Sequence, residues 1–337
     1  MTQGVLFCLL LAAGGACGAQ EDKSAQQDEA IAAIQKMKGR VEVDAKRPGK
    51  PVVKVHLFGG KTAGIGLAPL AKLPETEWIG LHLSDITEAD LEHLKGLTKL
   101  RRLGLADIHL SDAGLQRLEG MTTLEILYLM ENPITDAGLD HLRKLTRLEE
   151  LGLGQTKITD AGLERLKNFK DLEILRLQQL KISSAGLEHL TGLTKLHTLD
   201  LSGCSQVRDL KPLHGLPLVS LNLAYCNQLE DLTPLKGMPL TSLDLFACAK
   251  LKDLSPLKGM PLTSLHLLGC PQVHDLTPLA GMNLSEIELT PKNFTTENLE
   301  VLRQCKNLKT IVIGPKATDK LTPQDFWKKF DAGEFKP

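Results

Sequence analysis

Four cysteines are the residues best placed to do chemistry. They close four similar phrases, "LDLSGC" at Cys204, "LNLAYC" at Cys226, "LDLFAC" at Cys248 and "LHLLGC" at Cys270, spaced 22 residues apart. Thiolates could bind a metal, pair as disulfides or attack an electrophile. A fixed period in constant surroundings marks a repeat instead. Stacked repeats would set successive thiols in a line, about 4.8 Å apart. Tetrahedral zinc needs four sulfurs about 2.3 Å from one point, and a line cannot converge. Neighbouring pairs are close enough for a disulfide, but their parallel Cβ directions fit one poorly. The four are expected to form a buried structural ladder.

Other candidates fail on spacing. "FGGKTAG", residues 58–64, imitates a phosphate loop, but the required glycine five residues before Gly60 is Val55. Lys61 and Thr62 then read as part of a turn. His93, Arg117, His141, Arg165 and His189 recur at one position. Packed helices lie about 8–10 Å apart, too far for successive imidazoles to share a metal, so a solvated face is expected. No acid–base pair, nucleophile–histidine arrangement or complete metal motif is present. The chain is expected not to be an enzyme and to take no cofactor.

The repeat itself reads L-x-x-L-x-L. Its second apolar position runs Leu81, Leu103, Leu127, Leu151, Leu175, Leu199, Leu221, Leu243, Leu265, Ile287 and Ile311, in steps of 22 or 24 residues. This is identified as a leucine-rich-repeat signature, in which a short strand turns alternate leucines inward. The expected fold is an α/β solenoid: a leucine-rich-repeat horseshoe with a parallel β-sheet on the concave face. Short α-helices, then 3-10 turns, are expected on the convex face. Segments such as "ITDAGLDHL" place Ser111, Thr135, Thr159 and Ser183 as N-caps of short helices. From Val207 onward, "LEDLTPLKGMP" and its relatives are shorter, leaving room for about one 3-10 turn between the proline and the glycine.

The "ITDAGL" repeats followed by "DLTPLKGMPLTSLDL" repeats resemble bacterial, planctomycete-type leucine-rich-repeat proteins, and "FWKKFDAGEFK" resembles a segment that accompanies such arrays. Similar arrays occur alone or fused to kinase domains; no kinase motif is present here. The 22-residue units also resemble internalin repeats, which implies an extracellular, protein-binding style of use. In such repeats the slot three residues after the last strand leucine, here that of the four cysteines, is filled by Asn or Cys.

Lysine and arginine total 40 against 41 acids, which gives no electrostatic case for nucleic acid. The apolar run Val5–Ala13 is too short for a bilayer, which needs about 20 residues, so the expectation is a secretory signal peptide cleaved after Ala19 and no membrane span. "GGAC" offers a lipid anchor at Cys17 as the alternative. The expected division is a signal peptide at 1–19, a polar linker at 20–26 and an N-terminal helix-plus-hairpin cap at 27–75. An array of about eleven repeats follows at 76–316, then a C-terminal capping segment at 317–337. An exported monomer, periplasmic, cell-surface or extracellular, is expected.

Function is expected on the concave face, where repeat arrays commonly bind. The residue between the two strand leucines reads His82, Gly104, Tyr128, Gly152, Arg176, Asp200, Asn222, Asp244, His266, Glu288 and Val312, and the neighbouring column supplies Met130, Phe246 and Leu268. Two readings of the second half stand side by side: simple ladder spacing of like charges, or a mildly acidic groove for a basic or hydrogen-bonding ligand. Tyr128 and Phe246 are expected to be exposed aromatic anchors for a protein partner. A cation site built from Asp200, Asp244, His266 and Glu288 and a passive structural role are the alternatives.

Overall fold

The computed structural model describes residues 24–58, 62, 64–82, 86–314 and 316–335. The leader, Cys17 and most of the glycine loop at 58–64 lie outside the described residues.

One sheet of 14 strands runs in chain order from end to end. Its strands are β1 (Arg40–Val43), β2 (Val52–Phe58), β3 (Trp78–His82), β4 (Arg102–Ala106), β5 (Ile126–Tyr128), β6 (Glu150–Gly152), β7 (Ile174–Arg176), β8 (Thr198–Asp200), β9 (Ser220–Asn222), β10 (Ser242–Asp244), β11 (Ser264–His266), β12 (Glu286–Glu288), β13 (Thr310–Val312) and β14 (Lys320–Leu321). Pairing is parallel from β2 to β13, while β1 and β14 close the two ends antiparallel. Most strands are three residues long, with the middle residue buried and its neighbours half-buried. Leucine fills the inward slots, and each such side chain removed from water contributes about 1.5–3 kcal/mol.

The register corrects one reading. Leu103 pairs with Ile79, and Leu81 with Leu105, so the first step is the 24 residues from Ile79 to Leu103. His82 accordingly stands opposite Ala106, and Gly80 holds the central column. Isoleucine in the first leucine slot hid this, because the alignment followed leucine alone.

The convex face also departs from expectation in its first half. Only α2 (Asp112–Leu115) and α3 (Asp160–Leu163) are α-helical, each one turn, and 136–142 and 186–190 are 3-10 helix. Segments of four to seven residues are too short for α-helical bonds to accumulate. In the second half the turns at 211–213, 233–235, 255–257 and 277–279 are 3-10, with proline in their first turn. Gly215, Gly237, Gly259 and Gly281 end them at positive φ.

The Ser/Thr positions serve mainly as clasps between repeats. Asp112 accepts the Thr135 amide at 2.8 Å and its hydroxyl at 2.6 Å. Asp136 holds Thr159 and Asp160 holds Ser183 in the same way. Glycine is required beside each clasp: a Cβ on Gly138, Gly162 or Gly186 would run into the preceding repeat's carboxylate. The motif "TDAG" is therefore one interlocking unit, the Asp reaching forward and the Gly leaving room for it.

Inside the loops, one slot fastens five of the repeats to the previous one. Asn132 donates to Leu105 O at 2.7 Å and Leu129 O at 2.9 Å, and its carbonyl accepts the Ile108 and Leu110 amides. Further along, Cys204, Cys226, Cys248 and Cys270 occupy this slot, and their Sγ atoms donate to Leu177, Leu201, Leu223 and Leu245 O at 3.2, 3.4, 3.3 and 3.0 Å. All four are buried, unpaired thiols. Burial pushes Cys204 and Cys226 up to about 12 and Cys270 to about 11, and raises Cys248 as well. A buried thiol that is hard to ionise is a poor nucleophile.

At the ends, helix α1 (residues 24–36) packs Ala30 and Ile34 into the core, with Met37 just after it. With α4 (Thr296–Glu300) preceding β13, helix α5 (Pro323–Asp331) covers the far end, Thr322 accepting the Asp325 amide and Phe326 fully buried.

Asp112→Ala should cost about 2 kcal/mol, because two donors lose their acceptor. Gly138→Ala should cost about 1–3 kcal/mol in the parent and clearly less in the Asp112→Ala background, read from urea midpoints of the double-mutant cycle. Iodoacetamide labelling resolved by mass spectrometry should leave Cys204, Cys226, Cys248, Cys270 and the buried Cys305 unmodified in the folded chain and modify all five in denaturant.

Candidate functional site

The outward face of the sheet divides at β7. In the first half, the central column carries Gly80, Gly104 and Gly152 around Tyr128. Tyr128 is half-buried, contrary to its expected exposure, because Met130 and the tyrosine ring both lie over Gly152. Burial, and then the Glu150 carboxylate, raise its phenol above the usual tyrosine range. Arg176 donates from Nε and Nη2 to Glu150 Oε1 at 3.0 and 2.8 Å. With Glu150 nearly buried at 8% exposure, this arginine is already partnered within the sheet.

An aromatic group nearer the N-terminus escaped sequence reasoning. His56 lies 4.8 Å from Trp78 and 5.3 Å from the exposed Phe58, and Lys54 Nζ sits 5.2 Å from the Trp78 ring centre. Its only signal was the register, which makes β2 a parallel member of the array and aligns these side chains.

The second half carries a different surface. Asp200, Asn222 and Asp244 each accept, through Oδ1, the backbone amide two residues on, at 2.9, 2.9 and 2.8 Å. This bond finishes the strand and leaves the second carboxylate oxygen of each aspartate facing outward. His266 Nδ1 lies 3.4 Å from Asp244 Oδ2, and its Nε2 is 4.0 Å from Glu288 Oε1 and 3.2 Å from Ser264 Oγ. The hydrogen bond to Asp244 raises the imidazole above the ordinary histidine range, against its burial and with help from Glu288. Beside this column Phe246 and Leu268 are half-buried. Phe246 was expected to be exposed; the exposed ring is Tyr225, which meets it edge to face at 5.1 Å.

The structure thus brings Asn222, Asp244, Phe246, His266, Leu268 and Glu288 onto one patch, with Asp200 at its border. Tyr128, Met130 and Arg176 lie in the first half, away from it. Among the described residues no group of three His, Cys, Asp or Glu side chains could hold a metal. Nor, among the described residues, is any helix long and apolar enough to cross a membrane. On the convex side, Arg117 pairs with Glu92, and His141 and Arg165 with Glu119 and Asp140, all at the surface.

The raised His266 pKa has a definite sign. The folded state holds the proton more tightly than the unfolded chain, so the bridge to Asp244 stabilises at pH below the ordinary value of about 6.5 and is lost as pH rises through the higher folded value. The stability difference between parent and His266→Gln should therefore be largest in mild acid and shrink on the alkaline side, by urea denaturation. A pH-independent difference would remove the ionic part of this account.

A family of the description "Leucine Rich repeat" matches residues 120–142. No curated protein matches the chain. An internalin of Listeria monocytogenes, solved as a crystal structure, is 24% identical, with 85% of this chain and 88% of that chain covered and a TM-score of 0.61. The ectodomain of the Arabidopsis receptor kinase HAESA, in complex with an N-terminally extended IDA peptide hormone, is 16% identical, with 88% of this chain and 53% of that chain covered and a TM-score of 0.56. This chain spans about half of that ectodomain. With the sheet, the leucine slots and the convex turns, these likenesses give the fold: an open leucine-rich-repeat solenoid.

Proposed function

We propose that the protein is a non-enzymatic binding module that takes a protein partner on the outward, concave face of β8–β12. The observation that carries this reading is the open patch of Tyr225, Phe246 and Leu268 beside Asp244, His266 and Glu288. Strands β8–β12 pack against their neighbouring strands, and Tyr225 beside them is exposed. Aromatic anchors ringed by polar groups are the usual composition of binding hot spots. The HAESA ectodomain, of similar fold, holds a peptide hormone.

Export, to the periplasm, cell surface or beyond, and bacterial origin belong to the same proposal. They rest on the apolar run Val5–Ala13 and on the repeat phrases. A monomer suffices for this role, because the array is closed by its own ends. The N-terminal helix and hairpin and the C-terminal helix are read as caps of the array.

The test is capture from an envelope extract by the full chain and by an Asp244→Asn, Phe246→Ala variant. Asparagine at 244 keeps the amide acceptor, as Asn222 does one repeat earlier. Removing such anchors costs about 2 kcal/mol or more, so a concave-face partner should bind the folded variant about thirtyfold more weakly. Equal capture by both chains would contradict the reading. If neither captures a protein, the passive structural role replaces it.

A further inference from the structure

We propose that Tyr225, Phe246 and Leu268, with the acids beside them, form a docking surface for an extended protein segment in which lysine or arginine alternates with large apolar residues. The proposal rests on the concave-face reading above and adds the chemistry of the partner.

Tyr225 itself is the first argument. Two residues after the last strand leucine, most loops pass through a left-handed residue, and the slot holds in turn Asp107, Glu131, Gln155, Gln179, Gly203, Tyr225, Ala247 and Gly269. Tyr225 is the aromatic member of this series, 52% exposed, and its ring meets Phe246 edge to face at 5.1 Å. An exposed aromatic residue in a slot that elsewhere takes a polar or small residue points to recognition.

Charge supplies the second argument. The outward residues of β8–β12 include the carboxylates of Asp200, Asp244, Glu286 and Glu288 and no lysine or arginine. Lys320 reaches Glu286 at 3.5 Å and Asp200 stands opposite Arg176, leaving Asp244 and Glu288 facing His266 and neutral groups. The apolar and acidic columns are two residues apart along each strand, about 7 Å. An extended segment lying between them presents alternate side chains to either side, cations to the acids and apolar groups to the rings.

His266 makes this surface sensitive to pH. It faces Asp244 on β10 and Glu286 and Glu288 on β12, with Ser264 on its own strand. Protonated, it offsets the neighbouring acids; neutral, it leaves them to a cationic ligand. Binding of a basic segment should therefore strengthen as pH rises through the His266 titration.

The probe is a fluorescein-labelled peptide of alternating lysine and leucine, titrated with the full chain by fluorescence anisotropy. Glutamate–leucine and lysine–serine peptides serve as controls. The expected result is saturable binding of the lysine–leucine peptide alone, about tenfold weaker to Asp244→Asn/Glu288→Gln and to Tyr225→Gly. Tyr225→Gly should keep a urea midpoint no lower than the parent's, which separates lost recognition from lost folding. The gain in affinity with rising pH should vanish in His266→Gln. Absent saturation, equal binding of the glutamate–leucine peptide, or unchanged affinity in the variants would overturn the proposal. If the peptide fails while the extract partner still depends on Asp244 and Phe246, the concave-face reading stands and only its chemistry falls.

Discussion

A strand of three residues cannot satisfy its own backbone or bury its own leucines, and the whole molecule follows from that constraint. Each repeat is completed by the next: strand amides pair across the sheet, loop carbonyls are met by Asn132 or a cysteine thiol, and convex amides are held by Asp112, Asp136 and Asp160. Stability is then a sum of interfaces, and the two ends need closing by other means. Antiparallel β1 and β14, with helices α1 and α5, do this.

The same constraint frees the opposite face. Once the inward slots and loop slots have fixed the fold, the outward positions of each strand carry little structural duty. They divide into two characters, glycines around a half-buried Tyr128 and a closed Glu150–Arg176 pair before β8, and an acidic column with aromatic neighbours after it. A rigid sheet holds these side chains at set spacing, so recognition needs little ordering on binding.

The period and the inward leucines could be read from the sequence because one side chain type repeats wherever the core demands it. The cysteine slot and the proline-initiated turns were readable for the same reason. Register at the first strand was not, since Ile79 replaces leucine and Leu81 imitates it. Nor was the 3-10 character of the segments at 136–142 and 186–190, because cap residues signal where a helix begins and do not set its hydrogen-bond pattern. The "TDAG" motif was read as local capping, which Thr135 does supply to the Ala137 amide, but the clasp bonds that reach 23 residues away were not foreseen. At the candidate site the acids and Phe246 were found by counting along the strand. Tyr225 was missed because it lies in the loop after the strand, outside the two columns counted along the strands.

The central claim is that recognition occurs on the outward face of β8–β12. Hydroxyl-radical footprinting of the chain alone and in complex with its captured partner tests this most directly, because it reports side-chain access residue by residue. The account requires strong protection of Tyr225, Phe246 and His266 on binding, with oxidation of the exposed, convex His214 unchanged. Protection of His214 with Tyr225 and Phe246 still oxidised would place the interface on the other side of the solenoid and contradict it.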